Sequence, residues 1–191
     1  MTSRSPPGLH RLPSGIVIGV RKGGTRALLD MIGLHSLVRP ARAEVHFFDA
    51  EENYERGLDW YRAQMPALDS PLQLAVEKTP SYFNVESVPA RVRAMDPAVR
   101  LLLVVRDPVT RLISDYTQIA HNHVERGLAP PRSFEELVFV GGGQNNGSAA
   151  GEVNTRYDAV GKSMYDVHMR RWLSFFPLEQ IHVVNGDRLI R

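Results

Sequence analysis

Lys22, Gly23, Gly24, Thr25 and Arg26 follow one another directly, after Arg21 and the apolar run 16–20. A short strand that empties into a basic, glycine-rich turn is a device for holding an anion. Gly23 and Gly24 let the backbone approach closely and adopt positive φ, and Lys22 brings a mobile charge. The segment 25–32 has the pattern of a helix whose first amides and positive dipole end face the same spot. The chemistry implied is the handling of phosphate or sulfate. The plainer alternative is a glycine turn with basic residues facing water, as any α/β protein can carry.

The spacing Gly19-x4-Gly24-Thr25 approaches the nucleotide-binding pattern G-x-x-x-x-G-K-[ST], but no lysine follows the last glycine. Lys22 precedes the glycine pair instead. The Lys-Ser/Thr couple that seats a phosphate and Mg²⁺ is therefore missing, and metal-requiring phosphotransfer from ATP becomes the lesser alternative.

Three further groups can do chemistry. In Glu44-Val45-His46-Phe47-Phe48-Asp49, an extended backbone would put Glu44, His46 and Phe48 on one face. A carboxylate and an imidazole would then address the same substrate group, which suits removal of a proton from a hydroxyl nucleophile. A surface Glu-His pair and a metal site of Glu44, His46 and Asp49 are the alternatives. In Arg106-Asp107-Pro108 through Ser114, a guanidinium closes an apolar strand and a hydroxyl lies two turns into the next helix; together they suit a terminal phosphate monoester. Glu77-Lys78-Thr79-Pro80-Ser81-Tyr82 places Lys78 at a strand end, where it can hold an anionic sugar or the transferring group, or simply face water.

The elements that must position these groups alternate. Strands are expected over 16–20, 72–76, 99–105 and 181–184, and helices over 25–32, 58–65, 88–95, 108–123 and 163–176, with apolar residues three and four apart. This β-α alternation predicts an α/β fold, a single domain with a central, mostly parallel sheet flanked by helices and ligands gathered at the carboxyl ends of the strands. Asp107-Pro108 is a helix start, with Asp as N-cap and Pro in the first turn. Trp172, Phe175 and Phe176 belong to the core rather than to a binding box, and 141–151, rich in Gly and Asn, forms a surface loop.

Composition limits the possibilities. The 191 residues, 43% hydrophobic and 23% charged, suffice for a globular core. A net charge of +2 gives no global basic field, so nucleic acid is not an expected partner and any polyanion must be gripped by local clusters such as Arg21/Lys22/Arg26 and Arg170/Arg171. With no cysteine, neither a disulfide nor a thiolate metal site exists within the chain. Residues 1–14 form a polar lead without an apolar run long enough for a signal peptide or membrane span, and the domain is expected over 15–191. The strand at 181–184 has little after it to cover it, so a C-terminally truncated chain is expected.

With these residues in order, the chain resembles the sulfotransferases that use 3′-phosphoadenosine 5′-phosphosulfate, and among them the heparan sulfate glucosamine 3-O-sulfotransferases, over about 12–191. The resemblance implies a P-loop-like sulfotransferase fold and binding of the 5′-phosphosulfate by Lys22, Gly23, Gly24, Thr25 and Arg26. It assigns Arg106 and Ser114 to the 3′-phosphate, Glu44 to the catalytic base, and His46, Asp49, Lys78 and Gln118 to the acceptor sugar. Lys22 joins Glu44 and His46 in the chemistry. N-sulfotransferases are similar too, but their turn more often has KTGTT and they lack this His and Asp. The partner implied is heparan sulfate or heparin, no metal is required, and the compartment is the Golgi lumen. A non-catalytic heparan-binding remnant is the alternative of a different class.

Overall fold

The computed structural model describes residues 9–140 and 151–189. The chain forms two compact units, one containing residues up to Val105 and again from Val167, the other Arg106–Asp166.

The first unit is built on a parallel sheet of five strands. Gly15–Gly19 (β1) is buried at every position because it lies in the middle, with Leu74–Lys78 (β3) on one side and Arg100–Val105 (β4) on the other. Val38–Pro40 (β2) pairs with β3, and Ile181–Asn185 (β5) pairs with β4, giving the order β2-β3-β1-β4-β5. All four pairings are parallel. Strands covered on both faces favour unbroken runs of Val, Ile and Leu, which is what β1 and β4 carry. The expected strand 72–76 lies two residues further on in the structure: Leu72 is 70% exposed, while Glu77 and Lys78 are buried within β3. β2, only three residues long and containing Pro40, was not expected at all.

Thr25–Ile32 (α1) follows β1 and packs Leu28 and Leu29 against Val17, Val76 and Val104. Glu51–Tyr54 (α2) and Gly57–Gln64 (α3) precede β3, and Val88–Met95 (α4) links it to β4. An aromatic cluster fills the other part of the core. Phe47 stacks on Tyr61 at 4.4 Å, Phe48 meets Tyr82 edge-on at 5.4 Å, and Trp172 donates its indole N–H to the Phe83 carbonyl at 3.0 Å. Trp172 and Phe176 are buried, as their spacing implied, but Phe175, expected in the core with them, is 37% exposed. Trp172 lies on Tyr165–Leu173 (α8), shorter at both ends than the expected helix 163–176. Within the expected polar lead, Leu9 forms a bridge with Leu68; residues 1–8, and 141–150 of the expected loop, lie outside the described residues.

The second unit is helical: Pro108–Glu125 (α5), Phe134–Val138 (α6) and Asp158–Gly161 (α7). Asp107 caps α5 as expected, accepting from the Thr110 amide at 2.7 Å, and these hydrogen bonds hold its carboxyl below the usual range. Arg111 is fully buried beside Asp115 at 3.0 Å and donates to Ser163 Oγ at 2.8 Å and the Ala159 carbonyl. Leu112, Val138, Ala159 and Val160 close the core around it.

β5 runs directly into Gly186–Leu189 (α9), whose first residue lies against the turn after β1. A Cβ at Gly186 would stand 2.1 Å from the Gly23 carbonyl oxygen and 3.2 Å from that of Val105. Both obstacles are backbone, so neither can swing away. Gly186→Ala is therefore expected to destabilise the fold by about 1–3 kcal/mol, seen as a lowered thermal midpoint; an unchanged midpoint would mean the turn yields freely.

Candidate active site

The turn after β1 is shaped by three close approaches. The Val20 amide donates to the Val104 carbonyl at 2.8 Å, and the Gly23 amide donates to the Val20 carbonyl at 2.9 Å. A Cβ on Gly23 would sit 2.7 Å from the Val104 oxygen, so only glycine fits there. Lys22 and Gly24 have φ of 65° and 107°, the left-handed region that Gly accepts freely and Lys at a cost. α1 starts at the next residue with no side chain capping its first amides. A turn tightened by glycine, with a basic residue on its crest and an uncapped helix end behind it, fits an anionic group. Thr25 is buried at that end, and Arg26 reaches along the exposed helix face to Asp30 at 3.2 Å.

Val17 of β1 pairs with Lys78 of β3, so the segment after β3 leaves the same edge of the sheet as the turn. A chain of charged groups stands there. The Lys78 ammonium donates to Glu44 Oε1, and Glu44 Oε2 faces His46 Nε2 at 3.6 Å. His46 Nδ1 lies 2.9 Å from Asp49 Oδ2, which also accepts from Ser81 Oγ at 2.5 Å. Because a carboxylate can only accept, Nδ1 carries the proton toward Asp49, and Nε2 is the nitrogen turned to Glu44. The side chains of Lys78 and Asp49 are nearly enclosed, whereas those of Glu44 and His46 are 40% and 45% exposed. A carboxylate and an imidazole thus face solvent, each backed by an enclosed partner.

The backbone between them is not extended. Residues 44–49 form a coil and a turn, and His46 has φ of 50°. The expectation of one shared face is thereby corrected: Glu44 and His46 do meet, through the bend, but Phe48 points into the core and is fully buried. Side chains answer for the backbone polar groups of this turn. The Val45 amide donates to Glu77 Oε1 at 3.5 Å and the His46 amide to Thr79 Oγ1 at 3.4 Å. The Phe47 and Phe48 amides donate to the Tyr82 hydroxyl at 2.9 and 3.5 Å. Asn53 donates to the carbonyls of Val45 and His46 at 3.2 and 3.1 Å.

A family model described as the sulfotransferase domain matches residues 12–191. The chain belongs to the sulfotransferase domain family. Heparan sulfate glucosamine 3-O-sulfotransferase 5 of Mus musculus is 48% identical over 182 residues, covering 95% of this chain and 50% of the relative. Heparan sulfate glucosamine 3-O-sulfotransferase 3B1 of Homo sapiens is 46% identical over 97% of this chain and 44% of its own length. The chain thus spans about half the length of these curated relatives. Among solved structures, a sulfotransferase from Alicyclobacillus acidocaldarius has the same fold, with a TM-score of 0.66, 19% identity, and coverage of 95% of this chain and 76% of the other.

In this member of the sulfotransferase domain family, the structure brings Glu44, His46, Asp49 and Lys78 into one connected group, and places Lys22, Gly23, Gly24, Thr25 and Arg26 on the turn and helix start after the adjacent strand. Arg106 follows β4 directly. Ser114 and Gln118 lie one turn apart on α5, both half-buried, with Gln118 donating to Asn122 at 2.9 Å. Among the described residues, no group of three or more His, Asp or Glu is arranged to hold a metal.

Sequence reasoning overlooked Glu77. It is wholly buried, and its oxygens accept from Val45 N, from Thr79 Oγ1 and, at 3.2 Å, from the Tyr61 hydroxyl. The available signal was its position next to Lys78 at the end of a strand buried on both faces. Burial pushes its carboxyl up to about 7, against the opposing pull of its three donors. Burial likewise pushes the Tyr61 and Tyr82 hydroxyls up, so both remain neutral.

Glu77 has a consequence for stability. Below about pH 4.5 it is protonated in folded and unfolded chains alike. Between there and about pH 7 the unfolded chain releases the proton while the folded protein retains it, so this contribution is full at low pH and lost as pH rises through about 7. Its size is roughly 3 kcal/mol. Relative to the wild type, Glu77→Gln should gain stability by that order as urea unfolding is moved from acidic to mildly basic pH. Parallel pH profiles for the two proteins would refute the assignment.

Proposed function

We propose that this protein transfers a sulfuryl group from 3′-phosphoadenosine 5′-phosphosulfate to the 3-hydroxyl of glucosamine in heparan sulfate, with Glu44 as the general base. The observation that carries this is the run Lys78–Glu44–His46–Asp49 beside a glycine-tightened anion turn. The relatives named as heparan sulfate glucosamine 3-O-sulfotransferases support the choice of acceptor.

The co-substrate supplies the sulfuryl group. Its 5′-phosphosulfate is assigned to Lys22, Gly23, Gly24, Thr25 and Arg26, and its 3′-phosphate to Arg106 and Ser114. An uncapped helix end and a turn that admits no Cβ are what such an anion requires. Glu44 takes the proton of the acceptor hydroxyl as that oxygen bonds to sulfur and the bond from sulfur to the phosphate oxygen breaks. Lys22 and the amides of Gly23 and Gly24 stabilise the charge that grows on the departing oxygen. Lys78 anchors one oxygen of Glu44, leaving the other toward His46 and the acceptor. Asp49 holds the His46 ring, so that Nε2 faces outward to a sugar hydroxyl. Gln118 is assigned to the glycan, no metal is invoked, and the Golgi lumen is the proposed compartment.

The decisive experiment supplies labelled phosphosulfate donor and heparan sulfate without added metal, then maps the product disaccharides. Label on the glucosamine 3-oxygen is expected; label elsewhere, or none, overturns the proposal. Glu44→Gln should lower turnover by about 10²–10⁴-fold while 3′,5′-adenosine diphosphate still raises its melting temperature; undiminished turnover would remove Glu44 from the role of base. In the wild type, 3′,5′-adenosine diphosphate should protect against heat more than ATP at equal concentration, and the reverse order would favour a phosphotransferase.

A further inference from the structure

We infer that Glu77 is a positioning residue for sulfuryl transfer: together with Thr79 it fixes the backbone amides of Val45 and His46, and thereby aims Glu44 and His46 at the acceptor. The inference rests on the transfer reaction proposed above and adds to it a residue that does not touch the substrate.

The geometry is that of a clamp. Glu77 and Thr79 are alternate residues at the end of β3, with their side chains joined by a hydrogen bond from Thr79 Oγ1 to Glu77 Oε1. Each takes one of two successive amides in the active-site turn, Val45 by Glu77 and His46 by Thr79. Those amides flank the peptide at which the chain bends, where His46 is held at φ 50°. A left-handed conformation at a non-glycine residue persists only where its surroundings impose it. Without the two acceptors, the His46 backbone is free to leave φ 50°, and the spacing of its ring from the Glu44 carboxylate is no longer fixed.

The back of Glu77 is fixed as well. Tyr61 on α3 donates to Oε2, and the same ring is stacked on Phe47, so the clamp and the aromatic core share a member. Lys78, between the two clamp residues, holds Glu44 directly. Three consecutive residues of one strand end therefore set the Glu44 carboxylate, the Val45 amide and the His46 amide.

The test compares Glu77→Met, which fills similar space but has no acceptor, with Glu77→Gln, which keeps an oxygen for Val45. In Glu77→Met, kcat should fall by about 10²-fold, as expected for a small misplacement of reacting groups, with heat protection by 3′,5′-adenosine diphosphate unchanged. Amide exchange over residues 44–49 should quicken in the same variant. Glu77→Gln should recover most of the lost kcat and the protection of those amides. Thr79→Val, less intrusive in volume, should lower kcat and speed exchange at His46 in the same direction. Unchanged kcat in Glu77→Met, unchanged exchange, or failure of glutamine to rescue would each overturn the inference. If the wild type transfers no sulfate, the reaction proposed above fails instead, and amide exchange alone then decides whether the clamp exists.

Discussion

Burying Phe47 and Phe48 obliges the chain to satisfy the backbone around them, and most of the site follows from that requirement. Both rings are excluded from water, and the amides that carry them are drawn in as well. A buried amide without an acceptor costs on the order of 1–3 kcal/mol. An irregular turn supplies no ladder of carbonyls, so the acceptors here are side chains: Glu77, Thr79 and the Tyr82 hydroxyl. The two phenylalanines are the anchors, and Glu44 and His46, the pair proposed for the chemistry, sit just before them on the part of the turn left open to solvent. That pair thereby gains a fixed backbone without being enclosed itself.

A second constraint acts on the turn after β1. Gly23 and Gly186 are held so close to neighbouring carbonyls that neither tolerates a methyl group. Three strands thus meet at one point: β1 leads into the turn, β4 accepts the Val20 amide, and β5 delivers Gly186 against Gly23, with the Val20 and Val104 side chains beside the two glycines. A Cβ on either glycine would push these backbones apart.

Periodic elements were legible in the sequence where local pattern and tertiary environment agree. α1 and α4 begin and end where their spacing implies, and Asp107-Pro108 marks the start of α5 because N-cap and proline preferences are local physics. β3 was misplaced by two residues because a buried Glu and Lys break the apolar run by which strands are recognised, and they are buried only because the turn 44–49 brings partners to them. β2 was missed because three residues carry too little pattern. In the site, the pairing of Glu44 with His46 was anticipated for the wrong reason: alternation on an extended strand was assumed, whereas a left-handed bend at His46 makes the contact. That bend is imposed by Thr79 and Glu77, more than thirty residues away, and no local signal encodes it.

Glu77 also shows why such residues are hard to read as structural. An ordinary apolar residue of similar size on β3 would avoid the desolvation that raises this carboxyl to about 7, and would be the cheaper choice for stability near neutral pH. What an apolar side chain lacks is an acceptor for the Val45 amide. The balance of forces therefore separates two tasks that usually coincide: most buried side chains raise stability and fix geometry together, whereas here geometry is fixed at the expense of stability. Costs of this kind are tolerated where a reactive group needs an exact placement, and the group that depends on Glu77 is the adjacent pair of Glu44 and His46. The strained backbone of His46, the enclosed Lys78 and the buried Glu77 are then three parts of one arrangement around the carboxylate proposed as the base.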